Sequence, residues 1–177
     1  MTGSPDTVLV VLRGPSGAGK STVAAGLRTA YGRGIAVVAQ DLLRRTVLRE
    51  RDVPGGANIA LIDLVARHAL DNGYHVVVEG ILSAERYGAM LARLAADHRG
   101  RSFLYYLDVS FEETVRRHAT RRQAAEFSPE DMAGWYQPHD LLPGAAERLV
   151  PQNSTARSTV EQILVDSALT VPRRLRP

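Results

Sequence analysis

The chain has 177 residues, a length that suits one domain with a single hydrophobic core, so we expect no second domain. Its net charge of +3 is small and no dense basic stripe is present, so a small-molecule partner is favoured over a nucleic acid. The apolar runs fall short of the roughly 20 residues that cross a bilayer, a secretory signal pattern is lacking and cysteine is absent, which predicts a cytoplasmic protein without a membrane partner.

The first predicted elements are a strand, a glycine-rich loop and a helix. Val8–Leu12 is a short, β-branched apolar run without polar alternation, which is typical of a central strand covered on both faces. After the loop, Lys20–Tyr31 predicts a helix that ends at Gly32–Gly34. Its predicted inward positions are Val23, Leu27 and Ala30.

A second strand and two helices come next. Ile35–Ala39 predicts a strand that ends at Gln40-Asp41, and a short helix continues to about Arg49. Beyond the breaker at Asp52–Gly56, apolar residues recur every three to four positions, so a helix runs to the stop at Asn72-Gly73. These apolar residues are Ile59, Ile62, Val65, Ala66 and Ala69.

Two more strands enclose another helix. His75–Val78 predicts a third strand that ends at Glu79-Gly80, and Ser102–Val109 predicts a fourth. Between them, Ser83 is expected to cap a helix that ends near Gly100. The inward residues of this helix are Tyr87, Leu91 and Leu94.

The last third of the chain contains three helix starts and a weak strand. Residues 110–113 and 158–161 both have the Ser-x-x-Glu spacing of a capping box, and Ser128-Pro129 predicts a third start. The predicted inward residues are Val115 and Ala119 after the first box, and Val160, Ile163 and Leu164 after the second. Leu149-Val150 predicts a weak fifth strand, and 172–177 a loose tail. Strands that alternate with helices predict an α/β fold with a five-stranded, mostly parallel sheet between two helix layers.

The glycine-rich loop carries the most specific motif. Residues 14–21 match the pattern Gly-x-x-x-x-Gly-Lys-Ser, in which glycines let backbone N–H groups turn inward around phosphates. Lys20 is predicted to reach the β- and γ-phosphates, and Ser21 to offer its hydroxyl to Mg²⁺. With ATP and Mg²⁺ as cofactors, the predicted binding residues are Gly14, Ser16, Gly17, Ala18, Gly19, Lys20, Ser21 and Thr22. The alternative is a strand-to-helix turn that binds no ligand.

Lys20 is the only lysine among 22 basic residues. A compact ammonium fits between phosphate oxygens where a broad guanidinium would collide, which explains the exception. A single lysine also excludes a Ras-like GTPase, whose base-reading Asn-Lys-x-Asp motif needs another. Larger ATPase motors carry paired acids after an apolar strand, whereas Glu79 stands alone there, so a small kinase fits better.

The chain resembles the small P-loop phosphotransferases. This group includes adenylylsulfate kinase, gluconate kinase, chloramphenicol phosphotransferase, zeta-type toxins and polynucleotide 5′-kinase. The resemblance covers nearly the whole chain and rests on Gly14–Ser21, on Asp41-Leu42-Leu43-Arg44 after the second strand, and on Arg116–Arg122 after the fourth. It implies an ATP-dependent kinase with a small helical lid at about 116–143.

The resemblance implies roles for an acidic and a basic residue that follow the second strand. Members of the group carry Asp-x-x-Arg there, which implies that Asp41 activates the acceptor hydroxyl and Arg44 orients the acceptor or a phosphate. The alternative is that Asp41 only caps the next helix. Glu79 is expected to hold Mg²⁺ together with Ser21 or to contact the acceptor, unless it is merely a surface acid at a strand end.

The resemblance implies that lid arginines offset charge during transfer. Arg117 and Arg121 are the predicted residues, with Arg122 as a substitute for Arg121, and a solvated basic helix face as the alternative. Trp135, Tyr136 and His139 either line the acceptor pocket or form the core side of a lid helix, and the second interpretation is favoured.

The reaction class follows from the whole set of motifs. We expect transfer of the γ-phosphate to a hydroxyl of a small-molecule acceptor. A polynucleotide 5′-hydroxyl kinase and a toxin-like or regulatory nucleotide-binding module are the alternatives. Segments 52–58 and 123–143 are expected to shape the acceptor pocket, but variable loops carry no code for its identity.

Overall fold

The computed structural model describes residues 1–119 and 128–169. Within these ranges, five strands form one parallel sheet in the order β2-β3-β1-β4-β5, so the predicted α/β fold is confirmed. The strands are Val8–Arg13 (β1), Ile35–Ala39 (β2), His75–Glu79 (β3), Arg101–Asp108 (β4) and Glu147–Pro151 (β5). The helices are Lys20–Tyr31 (α1), Ala57–Asp71 (α2), Ala84–Asp97 (α3), Phe111–His118 (α4), Pro129–Trp135 (α5) and Ala156–Ser167 (α6), and Leu42–Leu48 forms a π-helix. The predicted tail at 172–177 lies outside the described residues.

Strand β1 lies at the centre of the sheet, and all six of its residues are buried. It pairs with β3 on one side and β4 on the other. The chain leaves β1 toward β2 on the β3 side and later crosses from β3 to β4 on the other side, so the strand order reverses at β1. In open parallel sheets, such a reversal opens a crevice at the carboxyl ends of the strands, where ligands bind. The glycine-rich loop at residues 14–21, which we call the phosphate loop, follows β1 at this edge of the sheet.

Side chains of β1 alternate between two cores. Val8, Val10 and Leu12 pack in one cluster with Leu27 of α1 and Ile163 of α6. The other cluster contains residues of β1, α2 and α3, namely Leu9, Val11, Ile62, Leu91 and Leu94. The sheet is therefore covered on both sides, as the uninterrupted apolar runs predicted.

Two predicted details of α6 and α1 are wrong. Helix α6 begins at Ala156 rather than at the 158–161 box, because Thr155 and Ser158 form the reciprocal capping bonds. Helix α1 leaves Ala30 exposed, since its inward stripe lies along Val23, Ala24 and Leu27.

Helix α4 also differs from its prediction. Ser110 accepts from the Glu113 backbone, but the Glu113 carboxylate turns to Arg116 and Arg117, so the box is only half formed. The buried residues are Thr114 and His118, whereas Val115 is half-buried and Ala119 is exposed. The glycine-rich loop packs closely against this face, since a Cβ atom on Gly17 would lie 3.0 Å from the Thr114 carbonyl oxygen.

In the ranges that the structure describes, no helix has both the length and the apolar character needed to cross a membrane.

His75 couples the fold to pH. Its Nδ1 accepts from the Val8 N–H at 3.1 Å, and its Nε2 lies 2.8 Å from the Tyr31 hydroxyl. Burial lowers the pKa of His75 below its ordinary value of 6.5, and burial lowers the pKa of His98 as well. The unfolded chain therefore binds these protons more readily than the folded protein. The stability that the two neutral histidines contribute is fully present above pH 6.5 and is lost as the pH falls through their lowered pKa values.

We expect the urea midpoint to fall between about pH 7.5 and about pH 5.5, with uptake of up to about one proton per histidine on unfolding. His75→Gln should flatten this slope, because its amide oxygen still accepts a hydrogen bond but does not titrate. His68→Gln, at an exposed position of α2, is the control and should leave the slope unchanged. An unchanged slope in His75→Gln would contradict the assignment.

Candidate functional site

The phosphate loop connects β1 to α1 through backbone that favours glycine. Gly14, Gly17 and Gly19 have φ angles of 142°, 83° and 103°, a region that residues with a Cβ atom rarely adopt. Space is also limited, because a Cβ atom on Gly14 would lie 2.6 Å from the Leu107 carbonyl oxygen. Sequence and geometry therefore agree that these glycines shape the loop.

Lys20 lies inside the curve of this loop as the first residue of α1. Its side chain is buried, and its ammonium donates to the carbonyl oxygens of Gly14 at 2.9 Å and Pro15 at 2.7 Å. A positive charge is thus held at a helix N-terminus, where the helix dipole also favours an anion.

Ser21 and Glu79 meet beside Lys20. The Ser21 hydroxyl donates to the Glu79 carboxylate, with oxygen distances of 3.1 and 3.2 Å. Glu79 is only 6% exposed, so it is not a surface acid. Burial raises the pKa of Glu79, while the Lys20 charge and the Ser21 hydrogen bond oppose that rise.

These two side chains suit Mg²⁺ in the chemistry of their donors. Hydroxyl and carboxylate oxygens are the ligands that this ion prefers. Across residues 1–119 and 128–169, no three His, Cys, Asp or Glu side chains converge on one point, so the protein forms no complete metal cage there. Such a partial set fits an ion that takes its other ligands from phosphates and water.

Asp41 lies at the carboxyl end of β2 and precedes the π-helix. It has helical backbone angles, and among the described contacts its carboxylate makes no cap bond, so the helix-cap interpretation is wrong. The carboxylate instead pairs with Arg44 at 3.0 Å and is 68% exposed. Since the two residues are three positions apart, one turn of helix brings them together.

A pocket of about 550 Å³ lies between the phosphate loop and this pair. The first turn of α3 and the end of α5 form its other walls. Its lining includes Gly14, Pro15, Ser16, Asp41, Arg44, Arg45, Arg51, Asp52, Ser83, Arg86, Tyr106, Trp135 and Asp140. We call it the acceptor-side pocket.

A buried ion network supports one wall of the acceptor-side pocket. Arg13, which ends β1 and is fully buried, donates to both carboxylate oxygens of Glu147 at 2.9 Å and to Asp140 at 3.0 Å. Asp140 also accepts from the Ala84 N–H at 2.9 Å and thereby caps α3. The prediction that Ser83 caps this helix is therefore wrong, because a carboxylate from a distant loop takes that role.

Arg117 reaches the phosphate loop from α4. Its guanidinium donates to the Ala18 carbonyl at 3.2 Å, the Gln152 carbonyl at 2.7 Å and the Glu113 carboxylate at 2.6 Å. The hydrogen bonds from Arg116 and Arg117 lower the pKa of Glu113 to about 2. Arg121 and Arg122 lie outside the described residues.

A second cavity, of about 180 Å³, opens on the opposite side of the loop from the acceptor-side pocket. It is lined by Gly19 of the loop, Thr22 of α1 and Arg117 of α4, and by Pro151 at the end of β5 and Gln152 after it. The phosphate loop thus borders both of these cavities.

The aromatic residues near the end of α5 differ in their exposure to solvent. Met132 is the buried residue of this helix, while Trp135 is 41% exposed and lines the acceptor-side pocket. The favoured prediction of a core position is therefore wrong for Trp135. Tyr136 does pack inward, with its ring 5.3 Å from that of Phe111, and His139 is exposed beside Asp108.

The chain matches the model of a known protein family. The model of the family described as AAA domain matches residues 9–135, which include the phosphate loop, Asp41, Glu79 and most of the acceptor-side pocket. The chain belongs to this AAA domain family. No curated protein matches the chain in sequence.

Solved structures show the same fold. APS kinase CysC of Mycobacterium tuberculosis, in complex with AMPPNP and APS, is 19% identical with a TM-score of 0.67, over 94% of this chain and 99% of that one. A gluconokinase of Sinorhizobium meliloti 1021 is 19% identical with a TM-score of 0.63, over 93% of each chain. APE1195 is 20% identical with a TM-score of 0.72, over 95% of this chain and 98% of that one. At these identities the likeness shows a shared fold, and together with the family match it confirms the resemblance seen in the sequence.

Sequence reasoning did not single out several residues of this site. Arg51, Arg86 and Tyr106 line the acceptor-side pocket, and Arg13 and Asp140 support it. A usable signal existed for Arg86, which lies in the first turn after the carboxyl end of β3, at the ligand-binding edge of the sheet. For Asp140 the sequence carries no local signal, because Arg13 and Ala84, which donate to its carboxylate, are 127 and 56 residues away.

Proposed function

We propose that this protein transfers the γ-phosphate of ATP to a hydroxyl group of a small-molecule acceptor. The observation that carries the proposal is a shared pocket: Gly14–Ser16 of the phosphate loop and the Asp41–Arg44 pair line the same cavity. A phosphate held by the loop therefore faces a carboxylate across a space that admits a small molecule.

The proposed nucleotide site uses the loop and its second cavity. Lys20 exchanges its contacts with the Gly14 and Pro15 carbonyls for the β- and γ-phosphates. The backbone amides of Gly17, Ala18 and Gly19 hold phosphate oxygens, and the Ala18 amide gives up its hydrogen bond to the Pro15 carbonyl. The cavity beside Thr22, Arg117 and Gln152 receives the base or sugar. Ser21 and Glu79 would hold Mg²⁺, whose chemistry is to neutralise phosphate charge.

The proposed transfer step needs positioning and one proton acceptor. The acceptor oxygen forms a bond to the γ-phosphorus as the bond to the β-phosphate oxygen breaks, and ADP leaves. Asp41 takes the hydroxyl proton, while Arg44 orients the acceptor. Arg117 offsets charge at the loop through its position beside Ala18, and Arg121 remains a predicted contributor.

The test uses γ-labelled ATP with a panel of sugars, sugar acids, nucleosides, antibiotics and an oligonucleotide with a 5′-hydroxyl. We expect label transfer to a small hydroxyl compound. Asp41→Asn should lower kcat by about 10²–10⁴-fold with little change in nucleotide affinity, because the amide cannot accept the proton. Asp6→Asn, at an exposed position, is the matched control.

Three outcomes contradict parts of the proposal. Transfer to the oligonucleotide alone would identify a polynucleotide kinase. Tight ATP binding without transfer to any acceptor would indicate a regulatory module. Full activity in Asp41→Asn would remove the proposed base and leave only positioning by the loop.

A further inference from the structure

The acceptor-side pocket concentrates polar atoms that lack partners. In the described part of the chain, three buried side-chain nitrogen or oxygen atoms have no hydrogen-bond partner: Arg44 Nε, Ser83 Oγ and Arg86 Nε. All three residues line this one pocket. Proteins rarely leave buried polar groups unpaired, since such a group loses its hydrogen bonds to water without replacing them. Their gathering in one cavity therefore indicates a ligand that supplies acceptor oxygens.

The two arginines have similar contacts. Arg44 uses its terminal nitrogens for Asp41 and the Glu50 carbonyl, and Arg86 uses one terminal nitrogen for Asp52 at 3.1 Å. In each side chain the Nε donor is left over. Nε and a neighbouring terminal nitrogen form the planar edge that binds carboxylate or phosphate through two parallel hydrogen bonds.

Ser83 contributes a hydroxyl for a different reason. It occupies the N-cap position of α3, where a serine ordinarily accepts from the helix backbone. Asp140 accepts from the Ala84 N–H instead, so the Ser83 hydroxyl is left beside the pocket at the positive end of the helix dipole.

The acids that line the pocket are already engaged. Asp140 pairs with Arg13 and caps α3, while Asp52 accepts from Arg86 and from the Tyr87 hydroxyl at 2.6 Å. Asp41 pairs with Arg44. The lining therefore offers an oxyanion more donors than its own carboxylates use.

We propose that the acceptor carries an oxyanion, either a carboxylate or a phosphate ester, bound by Arg44, Arg86 and Ser83. Its reacting hydroxyl lies at Asp41, and Arg51 at the mouth adds positive charge. This inference rests on the proposed kinase function and names the class of its acceptor.

The test measures binding and transfer with matched pairs of compounds. Protein loaded with Mg²⁺ and AMPPNP is titrated calorimetrically with D-gluconate and D-glucose, with glycerol 3-phosphate and glycerol, and with inorganic phosphate. Because the analogue occupies the phosphate loop, binding there does not count. We expect the anionic member of at least one pair to bind about ten-fold or more tightly than its neutral partner.

Variants connect the preference to the pocket. Arg86→Gln should weaken the anionic compound about ten-fold or more and leave its neutral partner unchanged. Arg44→Gln should weaken the anionic compound by at least as much. Ser83→Ala should cause a smaller loss. Arg93→Gln, an exposed arginine further along α3, is the matched control and should change nothing.

The outcomes separate this inference from the kinase proposal. ATP-dependent phosphorylation of neutral compounds, with no preference for anions, would overturn the inference and leave the kinase intact. Anion binding that depends on Arg44 and Arg86, without transfer to any compound, would support the inference and overturn the kinase proposal. The inference is also overturned if neither the acids nor inorganic phosphate bind, or if Arg86→Gln weakens both members of a pair equally.

Discussion

Lys20→Ala is expected to lower phosphate transfer by about 10³-fold or more while the protein stays folded. The ammonium lies between the Gly14 and Pro15 carbonyls, where it can turn to the β- and γ-phosphates. Its removal takes away the positive charge whose effect is strongest when charge moves between these phosphates during transfer. The measurement is single-turnover transfer from γ-labelled ATP at saturating nucleotide, with circular dichroism to confirm the fold.

Lys20→Arg provides a sharper test of the same claim. It keeps the charge but replaces a compact ammonium with a broad planar group in a space that is already buried. We therefore expect it to be nearly as inactive as the alanine variant. If either variant keeps more than about a tenth of the rate, Lys20 does not stabilise the transferring phosphates in the way proposed.

Arg13→Met is expected to destabilise the fold by about 3–5 kcal/mol. Arg13 is fully buried, and its loss leaves the Glu147 side chain, which is 2% exposed, and the Asp140 side chain, which is 15% exposed, without their cation. An uncompensated buried carboxylate is costly because the low-dielectric interior replaces its hydration poorly. Urea unfolding, followed by fluorescence of Trp135 and by circular dichroism, gives the change in the free energy of unfolding.

A triple variant separates lost charge pairing from lost packing. Arg13→Met combined with Asp140→Asn and Glu147→Gln removes all three charges and should recover part of the lost stability. Arg93→Met, at an exposed position, is the control and should change stability by less than about 0.5 kcal/mol. A triple variant that is less stable than Arg13→Met would show that unpaired charge is not the main cause of the destabilisation.

Short-range patterns predicted most of the frame. The uninterrupted apolar run before Gly14 and the glycines that follow it predicted β1, the phosphate loop and the bounds of α1, Lys20–Tyr31, as observed. These features are readable because apolar periodicity, backbone freedom at glycine and helix stop signals each act over a few residues. The Asp41–Arg44 contact was also readable, since one helical turn separates the two positions.

The errors fall where residues far apart in the chain meet. Ser83 is a suitable cap residue at the N-cap position of α3, yet the Ala84 N–H donates to Asp140, 56 residues further along the chain. Helix α4 buries Thr114, which lies against Gly17 of the loop, rather than its predicted inward residues. Trp135 turns toward the acceptor-side pocket because Met132 fills the buried position of its short helix.

The sequence by itself determined that this chain builds a phosphate-binding loop on a parallel sheet, because that motif depends on neighbouring residues. Only the tertiary structure decided which groups face the loop. The strand order β2-β3-β1-β4-β5 brings the ends of β2 and β3 beside the loop on one side and those of β4 and β5 on the other. Because of that strand order, Arg44, Arg86 and Ser83 line one pocket. No local sequence pattern predicts this arrangement.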